Sequence, residues 1–86
     1  DDANAPRWRV MLYNENHTPR DYVVFVLEHF FLLSDELAGH VVGTAESEGM
    51  AEGVVRPKPE AERLSSVARA RAKLDGHPLT FTLEQD

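Results

Sequence analysis

From Tyr22 to Leu33 the chain places Val23, Val26, Leu27, Phe30 and Phe31 three and four residues apart, a spacing that makes a helix with one apolar face. That face has to be buried. A chain of 86 residues without cysteine has no disulfide or thiolate-bound metal to help, so one core shared with neighbouring elements must cover it. The run is broken by Glu28 and His29 and falls short of the about 20 apolar residues that cross a bilayer. A buried helix of a single small domain is the remaining solution.

The flanking segments supply the partners. Trp8 to Tyr13 is rich in aromatic and β-branched residues and stops at the polar cluster Asn14-Glu15-Asn16-His17, which predicts a strand ending in a turn. Thr18 and Pro19 predict the helix start, with the threonine as N-cap and the proline at the first helical position. Ser34, followed by Asp35 and Glu36, opens a second helix whose apolar stripe is read as Leu37, His40, Val41 and Ala45, with Gly49 as C-cap. Gly39 and Gly43 each weaken that helix by about 1 kcal/mol relative to alanine, which requires tertiary packing or the close approach of another backbone.

Met50 to Val55 reads as an edge strand, and Pro57 and Pro59 frame the loop after it. Glu60 to Leu74 predicts an amphipathic helix facing inward through Ala61, Leu64, Val67, Ala68 and Ala72. Leu79 to Leu83 alternates as a final strand. The order β-α-α-β-α-β predicts an α+β fold, a small three-stranded antiparallel sheet with three helices packed on one face. Residues 1–7 are expected to form a flexible leader and residues 8–86 the domain.

Composition excludes several functions. A net charge of −6 opposes a phosphate backbone, so nucleic acid is not an expected partner. Asp1 to Pro6 lack the charged and apolar regions of a signal peptide, no membrane association is expected, and the lack of cysteine points to a cytoplasmic address. His17, His29, His40 and His77 lack the spacing of a metal site. No nucleophile elbow or glycine-rich phosphate loop is present, so neither catalysis nor a cofactor is expected.

Three separated signatures resemble the ClpS family of Clp protease adaptors. Trp8 to Pro19 is similar to the family's strand and "NDDYTP" turn, and Asp21-Tyr22-Val23-Val24 follows as its first helix does. Ser34-Asp35-Glu36-Leu37-Ala38 resembles the start of the second helix. Ala61-Glu62, Val67-Ala68-Arg69 and Gly76 to Glu84 are similar to the family's third helix and C-terminal strand.

The resemblance implies a monomeric, non-enzymatic adaptor that binds the free α-amino group and first side chain of a substrate protein's N-terminal peptide and hands the protein to a Clp-family AAA+ unfoldase. It implies an α-ammonium site at Asn14, Glu15, Asn16, Thr18 and Glu46, and a side-chain pocket lined by Arg20, Phe25, Val42, Ala45 and Leu79. Glu46 stands where the family usually has histidine, Arg20 where it often has methionine, and Glu15 and Asn16 where it has aspartates. The family also resembles one that needs a longer disordered N-terminal arm, whereas only residues 1–7 precede the first strand, so the arm lies outside this sequence or delivery is absent.

The chemistry of those positions can be argued directly. An ammonium group has donors only, so its site needs acceptors, which an amide oxygen and a carboxylate provide. Glu46 in place of histidine adds a full charge, predicting salt-sensitive binding with a bias toward cationic peptides. Arg20 puts a cation at the pocket entrance, where it can pair with Glu46 or Glu15 and partly close it. These departures leave room for a second reading, a pocket-less docking domain that binds a protease or other protein through its surface.

Overall fold

The computed structural model describes residues 6–13 and 17–86. Its elements are β1 (Arg7–Tyr13), α1 (Arg20–Phe30), α2 (Asp35–Glu48), β2 (Met50–Pro57), α3 (Lys58–Leu74) and β3 (Phe81–Gln85). β1 lies between β2 and β3 and pairs antiparallel with both, giving the order β2-β1-β3. Three helices and a three-stranded antiparallel sheet are thus the fold expected from the sequence. Arg7, read there as leader, already belongs to β1, opposite Pro57.

One irregularity shapes the sheet. The register runs Val10↔Val54 and then Met11↔Glu52, so Gly53 is the extra residue of a bulge. A Cβ on Gly53 would sit 3.3 Å from the Val10 carbonyl oxygen, a tight approach that glycine avoids.

Val10 and Leu12, Phe81, Ala51 and Val54 face Val23, Val26, Leu27 and Phe31 of α1 and its following turn. α3 crosses all three strands through Ala61, Ser65, Ala68 and Ala72, small residues that let its backbone lie close to the sheet. Ser65 is buried without cost to hydrogen bonding, because its hydroxyl donates to the Ala61 carbonyl at 2.9 Å.

Several boundaries and faces differ from the sequence reading. α1 begins one residue later than Thr18-Pro19 predicts: Pro19 holds the N-cap position, and its carbonyl accepts from Tyr22 N and Val23 N. α2 buries Ala38, Val41, Val42 and Ala45, leaving Leu37 and His40 exposed. The stripe is therefore rotated toward alanine where α2 packs on α1 and β2. Val67 is also exposed, since α3 is held by its small residues. The caps at Ser34 and Gly49 are as expected: the serine hydroxyl accepts from Leu37 N at 3.1 Å, and Gly49 takes φ 90. Gly39 and Gly43 have nothing within 4 Å of a would-be Cβ, so no backbone approach requires them.

Candidate functional site

α1 and α2 are antiparallel neighbours, which brings the first residue of one beside the last turn of the other. There Arg20 Nη1 pairs with Glu46 Oε1, both side chains about half exposed. Of the two partners open to Arg20 in the sequence, Glu46 is the one it takes among the described residues; Asn14, Glu15 and Asn16 lie outside them.

The pair is electrostatically unusual. A cation at a helix N-terminus and an anion in a last turn each oppose the helix dipole. α2 has no basic residue of its own in that turn, so Arg20 supplies the compensating charge from α1.

Thr18 precedes this pair. Its Oγ1 is buried and has no hydrogen-bond partner among the described residues, so it does not cap α1. Leaving a buried hydroxyl unpaired costs about 1–3 kcal/mol.

Val42 and Ala45 lie on the core side of α2 beside Glu46, and Leu79 closes the same cluster from the segment before β3. Val23, which the sequence reading left out of the site, is in that cluster three residues after Arg20 and on the same side of α1. The i, i+3 spacing was the signal for it. Phe25 is five residues on from Arg20, and the two line one shallow depression together with Val24, Glu28 and Gly39. Its ring contacts are with Tyr22, His29 and Phe30, and the Arg71 guanidinium lies 5.6 Å from its centroid.

A cluster absent from the sequence reading anchors α1 to the end of α3. The Tyr22 hydroxyl donates to Asp75 Oδ2 at 2.5 Å, and Arg71 Nε donates to the same oxygen at 2.9 Å. Burial, then the Asp75 hydrogen bond, pushes the Tyr22 hydroxyl up to about 12. The bonds from Tyr22 and Arg71 hold the Asp75 carboxyl below its ordinary range. The Tyr22 ring also packs on His77, centroids 4.2 Å apart, and so fixes the segment that carries Leu79. Only the Arg71-Asp75 i, i+4 spacing was visible in the sequence.

Among the described residues no group of three or more His, Cys, Asp or Glu is arranged to hold a metal, and no helix is long and apolar enough to cross a membrane. What the described residues bring together at the α1–α2 junction is an ion pair, a buried hydroxyl and the edge of the apolar core.

Comparison with known proteins agrees. Residues 3–82 match the family described as ATP-dependent Clp protease adaptor protein ClpS. The ATP-dependent Clp protease adapter protein ClpS of Deinococcus radiodurans is 35% identical over 86 residues, 99% of this chain and 76% of that protein. Its counterpart from Xanthomonas oryzae pv. oryzae is 35% identical over 83 residues, 96% of this chain and 78% of that protein. Agrobacterium tumefaciens ClpS2, solved bound to L-phenylalaninamide, has a TM-score of 0.91 at 35% identity, covering 96% of this chain and all of that one.

Proposed function

Because the chain belongs to the ClpS family of non-catalytic Clp protease adaptors, we propose that it is an N-degron adaptor: it binds the free α-amino group and first side chain of a protein and delivers that protein to a Clp-family AAA+ unfoldase. The observation that carries the reading is the ligand of Agrobacterium tumefaciens ClpS2. L-Phenylalaninamide has a free α-ammonium and a benzyl side chain, and its carboxylate is replaced by an amide, as in the first residue of a peptide.

The geometry at the α1–α2 junction suits the same ligand. Glu46 keeps a second carboxylate oxygen beyond the one that meets Arg20, and the Thr18 hydroxyl is left with capacity for a polar group. Asn14, Glu15 and Asn16 would complete the ammonium site. Val23, Val42, Ala45 and Leu79 would form the wall of the side-chain pocket beneath Arg20. Phe25 would contribute from the depression that it shares with Arg20.

In this reading the ion pair governs access. Arg20 neutralises part of the charge that makes Glu46 attractive to an ammonium, so binding exchanges one cationic partner for another. The competing reading, a docking domain without a pocket, draws on the same pair as a permanent closure.

Fluorescence anisotropy on short peptides that differ in the first residue, each with a free and an acetylated N-terminus, separates the two. Binding of free peptides with a bulky hydrophobic first residue, phenylalanine among them, that acetylation abolishes is the expected result. Equal behaviour of every free and acetylated pair would leave the docking domain in its place.

A further inference from the structure

Leu79, buried in the core, has a second setting. Besides closing the core cluster, it lines an open groove with His17, Arg69, Lys73, Gly76, His77 and Pro78. In a chain of net charge −6, this groove has two permanent cations and no carboxylate among the described residues of its lining. Neither Arg69 nor Lys73 has an ion-pair partner among the described residues, and as an i, i+4 pair on α3 they repel each other. The nearby carboxylate, Asp75, is already committed to Tyr22 and Arg71.

The favourable field of a helix C-terminus accounts for cations in the last turns of α3. It does not account for their standing beside Pro78 and Leu79, the second of which is also assigned to the proposed first-residue pocket. His17, also in the lining, directly precedes Thr18 in the chain.

We infer that this basic groove receives the residues immediately after the first one of a bound peptide, and that the adaptor therefore favours N-termini followed by acidic residues. The inference rests on the N-degron reading and narrows its substrate class. It also reverses the cationic bias expected from Glu46, because Arg20 offsets that charge while Arg69 and Lys73 remain available.

The test uses phenylalanyl peptides whose next three residues are acidic, neutral or basic, with free and acetylated N-termini, at low and physiological salt. For the unaltered protein, the acidic tail is expected to bind roughly fivefold more tightly than the neutral one at low salt, with the difference shrinking as salt rises. The variant Arg69→Ala/Lys73→Ala should equalise the tails while leaving affinity for L-phenylalaninamide unchanged, with circular dichroism verifying the fold.

Equal affinity for all tails, with free and acetylated N-termini still distinguished, would overturn the groove assignment alone. Acidic tails that bind equally well when acetylated would also overturn it, assigning the groove to an acidic surface of another protein. Loss of every difference between free and acetylated peptides would remove both readings.

Discussion

Exchanging the charges of the Arg20–Glu46 pair should stabilise the fold and abolish its proposed activity. Arg20 is the first residue of α1 and Glu46 lies in the last turn of α2, so each charge opposes the dipole of its own helix. The double variant Arg20→Glu/Glu46→Arg keeps an ion pair across the same junction and aligns both charges with their helices. Each correction contributes about 0.3–1 kcal/mol at exposed sites, and the effect fades within one turn, so the facing helix cancels only part of it. Because both side chains are about half exposed, a net gain of about 1 kcal/mol is expected, which for a domain this size raises Tm by about 4–8 °C. Urea and thermal unfolding measure it. The same exchange sets a cation where an α-ammonium must bind, so free N-terminal peptides should lose affinity. Were the pair present for stability, the exchanged protein would be no more stable than the original; that result would refute the argument that the charges are placed for ligand binding.

Thr18→Val removes the buried hydroxyl, unpaired among the described residues, at nearly constant shape, and urea unfolding should show a gain of about 1 kcal/mol while peptide affinity falls. Gly39→Ala and Gly43→Ala meet open space and should each stabilise α2 by about 0.5–1 kcal/mol in the same assay. The raised Tyr22 pKa favours the protonated folded form, so its contribution is complete below the unfolded value near pH 10 and is lost as pH rises toward about 12. Ultraviolet phenolate titration should show a late-titrating tyrosine that disappears in Tyr22→Phe. Asp75 has the opposite sign: its lowered pKa supports the fold above the unfolded carboxylate value, and that support is lost as pH falls through the folded one. Asp75→Asn should therefore flatten the acid limb of the stability profile.

Local signals were the legible ones. Ser34 and Gly49 cap α2 as their side chains and backbone freedom dictate, and β-branched and aromatic content marked β1 while alternation marked β3. The α2 stripe was misread because Leu37 outweighs Ala38 in hydrophobicity, whereas the space against α1 and β2 accepts only the smaller residue. Val67 failed similarly beside the alanines of α3. In the candidate site, Arg20 and Glu46 are 26 residues apart and Tyr22 and Asp75 are 53 apart, separations at which no periodicity links them. The resemblance to ClpS brought Arg20 and Glu46 together on paper. Nothing comparable pointed to the Tyr22 anchor.

Titrating isotope-labelled protein with L-phenylalaninamide and following backbone amide shifts tests the N-terminus-reading site most directly. The expected shifts concentrate at Thr18, Arg20, Val23, Val42, Ala45, Glu46 and Leu79, and N-acetyl-L-phenylalaninamide leaves them in place. Shifts confined to surfaces away from the α1–α2 junction, or identical for the two ligands, would contradict the account.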